Sequence, residues 1–256
     1  MLSDLVDNHE YSKEALGKLL SKKISRDMPT KVFEIEQIIG EKIQGNRHIE
    51  LLGLWGGSKE GIPGDERDRR SLDSLVNIRN AYRNLRISLL FCDTHHMQVN
   101  GISPEECSAY YNVLRPIALS KKIYLIRLSQ LIEDLSIGPQ GIRDYVTIEE
   151  NEAIYEKNKD NKIYGLAKKH SRLFTKDQGN GKVYPLSTIV TLYREYEISF
   201  LRDIKKKYPD TIFFSFSDPQ IQRPIAQEAN APMFYFHADI NGGEFKNHAP
   251  WYSGSS

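Results

Sequence analysis

Apolar residues along this chain follow two different periods. Over residues 11–44 they recur every three to four positions, at Leu16, Leu19, Leu20 and Ile24 and again at Val32, Ile35, Ile38 and Ile39. That spacing predicts two helices, broken near Met28-Pro29. After Gly45-Asn46, HIELLGLW (48–55) is a short, nearly continuous apolar run, and it predicts a buried strand ended by Gly56-Gly57. The helical period returns from Arg69 to Leu85 through Leu72, Leu75, Val76, Ile78 and Ala81, and RISLLFCD (86–93) is a second buried strand. Ser103-Pro104-Glu105-Glu106 combines an N-cap, a proline in the first turn and early acids, so a helix is expected from there to about Ala118. KIYLIRLS (122–129) predicts a third strand and SQLIEDL (129–135) the start of another helix. A helix from Leu186 to Lys207 and two strands, TIFFSFS (211–217) and PMFYFHAD (232–239), complete the pattern.

Strands alternating with helices imply an α/β fold: a Rossmann-like, mostly parallel sheet flanked by helices, with functional loops at the carboxyl ends of the strands. Residues 136–184 are richer in Gly, Asn, Lys and Asp and are expected to form a long, partly helical excursion. The organisation expected is N-terminal helices over 1–45, followed by one catalytic domain over 46–256 that carries this insertion.

Composition narrows the class further. A chain with 39% apolar and 27% charged residues can bury a core and stay folded, which excludes disorder as its default state. No run of about 18 apolar residues occurs, and the opening MLSDLVDNHEYSKEAL is too acidic and too interrupted for a signal peptide. A cytoplasmic protein without a membrane partner is therefore expected. Cys92 and Cys107 stand in no metal-like spacing and are expected to be buried free thiols. A net charge of +1 argues against a surface built wholly for nucleic acid, while leaving room for a local basic patch.

Candidate chemistry concentrates at the strand ends. Asp93, His95 and His96 follow the second apolar run directly, where α/β sheets bind ligands, although an aspartate capping a turn beside ordinary loop histidines fits the same pattern. Together with His237, Asp239 and His248 they include imidazoles and carboxylates that suit a metal, but no compact ligand motif is present and no metal or other cofactor is expected. The run GLWGGSKEG (53–61) has the glycines of a phosphate cradle and the charge of Lys59 without Walker A spacing, and a simple chain reversal accounts for it equally well. In YREYE (193–197), Tyr193 and Glu197 lie four apart on one helix face, an arrangement able to hold an ammonium and relay its proton.

Taken in order, LLGLWGGS (51–58), FCDTHHMQVNGISPEE (91–106), IRLSQL (126–131), YREYE and MFYFHAD (233–239) resemble the tRNA-dependent cyclodipeptide synthases. The resemblance implies a Rossmann-like fold, no cofactor, and the joining of two aminoacyl groups from charged tRNAs into a diketopiperazine. It implies that Tyr193 and Glu197 hold and deprotonate an amino group, that Ser58 takes the place of the nucleophilic serine, and that Tyr235 or His237 lies near the pocket. Gly53, Trp55, Lys59, Asp93, His95, His96, Tyr235 and Asp239 are then the expected substrate-binding residues. The partners it implies are aminoacyl-tRNA and an amino-acid-derived small molecule, with Lys121, Lys122 and Lys205 to Lys207 available to phosphates.

A second resemblance is to the isonitrile synthases of the pyoverdine and dityrosine biosynthesis type. GGSKEGIPGDERDRRSLDSL (56–75) resembles their first-strand lysine loop, and YPDTIFFSFSDP (208–219) with APWY (249–252) resembles their late strand and ending. This one implies that an amino acid's nitrogen becomes an isocyanide with carbon from a pentulose phosphate, and that Lys59 meets the phosphate. A non-catalytic Rossmann-like module is the third possibility that the pattern leaves open.

Overall fold

The computed structural model describes residues 14, 16–17, 27–56, 64–81, 84–98, 102–135, 197–216 and 219–236. Among them, five strands form a single sheet: β1 (Ile49–Trp55), β2 (Leu85–Phe91), β3 (Tyr124–Arg127), β4 (Ile212–Ser215) and β5 (Met233–Tyr235). Seven helices accompany them: α1 (Val32–Gln44), α2 (Glu66–Ala81), α3 (Asp93–Gln98), α4 (Pro104–Ser120), α5 (Leu128–Leu135), α6 (Glu197–Lys207) and α7 (Pro219–Glu228). The strand order is β3-β2-β1-β4-β5, and each neighbouring pair is parallel. This is a Rossmann-like α/β fold, as the alternation of strands and helices predicts.

Buried parallel strands must satisfy apolar contacts on both faces, which is why β1, β2 and β4 read as almost unbroken apolar runs. Alternate residues divide between two cores. On one face, Leu51, Trp55, Ile87, Leu89, Phe91 and Phe214 pack with Ile35 and Ile39 of α1, Leu72, Leu75 and Ile78 of α2, and Leu114 of α4. On the other, Leu54, Leu90, Phe213 and Tyr235 pack with Ile132 of α5, Ile198, Leu201 and Ile204 of α6, and Ile225 of α7.

Gly53 in the middle of β1 has a packing reason. A Cβ there would lie 2.2 Å from Phe214 Cζ and 2.8 Å from Leu89 Cδ2, so the phenyl ring occupies the space that any side chain would need. Helix α4 starts as its sequence requires: Ser103 Oγ accepts from Glu106 N, and the Glu106 carboxylate accepts from Ser103 N.

Several boundaries differ from expectation. Helix α2 spans Glu66–Ala81, and Leu85 opens β2 rather than ending the helix. Leu128, expected in the third strand, begins α5, and Ser129 is helical, as the start of SQLIEDL predicts. Asp93, expected as the last residue of the second strand, opens the short helix α3, and Thr94 to His96 continue its first turn. Helix α7 was not expected, because Pro219 and Pro224 mask its apolar period. Of the helix expected over 186–207, the part from Glu197 onward is described, and the excursion at 136–184 lies outside the described residues. Among the described residues no helix is long and apolar enough to cross a membrane.

Candidate active site at the carboxyl edge of the sheet

The chain runs from β1 outward to β2 and β3, then returns to place β4 on the other side of β1. The direction of winding therefore reverses between β1 and β4, and the crevice above their carboxyl ends is where open α/β sheets take ligands. Trp55 and Ser215 end these two strands. Asp93 lies two residues past the end of β2, and Tyr235 ends β5, so Trp55, Asp93 and Tyr235 share the carboxyl edge.

They do not share a wall. Trp55 faces the core under α2 and α4, whereas Tyr235 faces the core under α6 and α7. Trp55 Nε1 donates to Tyr110 Oη at 3.2 Å, Tyr110 Oη donates to Asp68 Oδ1 at 3.0 Å, and Asp68 Oδ2 accepts from Gly64 N at 2.8 Å. Gly64 has φ 75°, a left-handed conformation that glycine adopts without strain. Burial, and then the Asp68 carboxylate, push the Tyr110 phenol well above its ordinary pKa, so it remains a neutral donor. This relay fixes the end of β1 to the start of α2.

Asp93 is buried and its carboxylate is largely occupied by protein donors. Oδ1 accepts from Thr94 N at 3.0 Å and Ser129 N at 2.9 Å, and Oδ2 accepts a short bond from Ser129 Oγ. It therefore joins the end of β2 to the first turn of α5. The backbones of His95 and His96 lie in α3, and their side chains fall outside the described residues.

On the opposite face, Glu197 opens α6 and is only 7% exposed. Gln222 Nε2 of α7 donates to its Oε2 at 3.3 Å. Burial pushes the Glu197 pKa up to about 8, with the Gln222 bond pulling the other way. A carboxyl so shifted can be populated in both protonation states near neutral pH, which is the property a general acid or base needs. Cys92 lies near enough for the Glu197 charge to raise its pKa further, after burial and ahead of Asp93. That thiol stays protonated. Cys107 is pushed up to about 11, mainly by burial. Both cysteines are buried and free, as expected, and neither is primed as a nucleophile.

Among the described residues, three buried side-chain atoms have no hydrogen-bond partner: Thr94 Oγ1, Gln222 Oε1 and Tyr235 Oη. Such atoms are uncommon inside proteins. Gln222 Oε1 adjoins the Glu197 carboxyl through its own amide. Tyr235 belongs to a different neighbourhood: burial raises its phenol pKa, Thr30 and Arg223 oppose that rise, and Asp27 adds to it. Tyr193, Ser58, Lys59, His237 and Asp239 lie outside the described residues, as does His248.

Sequence reasoning singled out Glu197 but missed Gln222, which belongs to the proline-masked helix, and Asp68, Tyr110 and Ser129, which carry no local motif. Of the basic groups named for phosphate contact, Lys121 pairs with Asp73 and Lys205 with Glu34.

No protein-family model matches this chain, and no curated protein matches it in sequence. Its fold is similar to the crystal structure of the PvcA protein from Pseudomonas aeruginosa, with a TM-score of 0.51 and 16% sequence identity over 88% of this chain and 84% of that one. At that identity the likeness shows the Rossmann-like fold and no activity.

Proposed function

We propose that this chain is an enzyme of the isonitrile synthase type, acting on the amino nitrogen of a free amino acid with a pentulose phosphate as the carbon source. The observation that carries the reading is the buried Glu197 carboxyl at the carboxyl edge of the sheet, held by Gln222 and poised to exchange a proton near neutral pH. With its pKa raised towards that of an ammonium, the Glu197 carboxylate, once its own proton has passed to solvent, is basic enough to accept the proton of an amino group brought beside it, as amine activation requires. The fold-level likeness to the PvcA structure supports this reading over the cyclodipeptide synthase resemblance, to which the comparisons lend nothing. The free basic surface that tRNA would need is also reduced, because Lys121 and Lys205 are already paired with carboxylates.

The test is mass spectrometry on purified protein incubated with amino acids and a pentulose phosphate. An isonitrile that forms with wild type and forms roughly ten- to a hundredfold more slowly with Glu197→Gln supports the reading. A diketopiperazine formed from aminoacyl-tRNA, or no product from any amino acid, would sink it.

A further inference from the structure

Arg127 ends β3, in register with Phe91 of β2, and so lies at the same carboxyl edge as the crevice. Its guanidinium carbon lies 4.4 Å from the centre of the Tyr111 ring. Stacking on an aromatic face holds the guanidinium plane but leaves its in-plane N–H donors unused.

Among the described residues those donors have no acceptor, and Arg127 is partly buried, a combination that no other arginine with a described side chain shows. Arg69, Arg79 and Arg202 donate to backbone carbonyls, Arg70 and Arg86 pair with glutamates, and Arg223 binds Asp27 and the carbonyl of Met28. Arg47 and Arg115 also lack an acceptor, but both are exposed, so water serves them. Arg127 is partly buried. The carboxylate past the end of the adjacent strand, Asp93, accepts its hydrogen bonds from Thr94 and Ser129 and makes no ion pair with Arg127. A partly desolvated cation with a fixed plane and unused donors is costly unless an anion completes it.

We propose that Arg127 anchors an oxyanion subsite at the carboxyl end of β3, taking the phosphate or the carboxylate of a small molecule in its plane while Tyr111 holds the guanidinium from one side. The subsite is separate from the Glu197 carboxyl and stands whether or not the isonitrile reading holds.

The experiment follows the Arg127 side-chain Nε–H resonance by NMR, assigned by its loss in Arg127→Lys, during titration with inorganic phosphate and separately with acetate. Sodium chloride at matched ionic strength is the reference. A saturating shift with phosphate points to a phosphorylated ligand, and one with acetate to a carboxylate. Calorimetry should show the preferred anion binding roughly ten- to a hundredfold more weakly to Arg127→Gln, as expected when charge-assisted hydrogen bonds are lost, with Arg127→Lys between the two. The proposal is overturned if neither anion moves the resonance beyond the chloride reference, or if folded Arg127→Gln binds the anion as wild type does.

Discussion

Replacing Glu197 by Gln tests the structure where stability and function should part. The carboxyl's ordinary pKa is 4.5 and burial raises it to about 8 in the folded protein. Between these values the folded chain keeps a proton that the unfolded chain has lost, so unfolding releases a proton and rising pH favours unfolding. The gap of about 3.5 pH units, at about 1.4 kcal/mol per unit, makes this group cost on the order of 5 kcal/mol above pH 8 and almost nothing below pH 4.5. Glutamine keeps the shape and does not titrate. Glu197→Gln should therefore match wild type within about 1 kcal/mol near pH 4.5 and exceed it by about 3 kcal/mol at pH 7. Urea denaturation of both proteins at intervals from pH 4.5 to 8.5 measures the difference. Turnover should move the opposite way, falling roughly ten- to a hundredfold, because the exchangeable proton is gone. Parallel stability profiles for the two proteins across this range would refute the reasoning, since they would mean that Glu197 is ionised and solvated in the folded state.

Gly53→Ala should destabilise the fold by about 1–3 kcal/mol, measured by chemical denaturation, because the added methyl meets the Phe214 ring; Phe214→Leu in the same chain should recover part of the loss. Asp93→Ala should cost about 1–3 kcal/mol by leaving donors of Thr94 and Ser129 unpaired, and hydrogen exchange should show the Ser129 amide losing protection before the middle of β1 does. Tyr110→Phe removes the middle of the Trp55–Tyr110–Asp68 relay and should cost about 1–2 kcal/mol, with a shift in tryptophan emission as the indole N–H loses its partner.

The sequence by itself determined the parallel α/β class. Strands buried on both faces must be apolar along their length, so HIELLGLW, RISLLFCD and TIFFSFS announce themselves, and the helices between them force parallel pairing. It also fixed the start of α4, because a capping box is a local bargain among Ser103 and Glu106. That Asp93 follows the end of a strand was legible for the same reason. Local rules act over a few residues, and these features are local.

Only the tertiary structure decided what those residues do. Strand order β3-β2-β1-β4-β5 sets the crevice between β1 and β4, and it arises from how distant segments pack rather than from any one of them. Asp93 meets Ser129, 36 residues away, and so joins strand to helix. Glu197 meets Gln222 from a helix whose prolines hide it, and the core formed with α6 and α7 removes the carboxyl from water. A side chain's ionisation and its unused donors depend on everything packed around it, and no window of sequence contains that environment. For the same reason Arg127, one strand residue among apolar neighbours in KIYLIRLS, shows its open donors only once the partners of the other arginines are known.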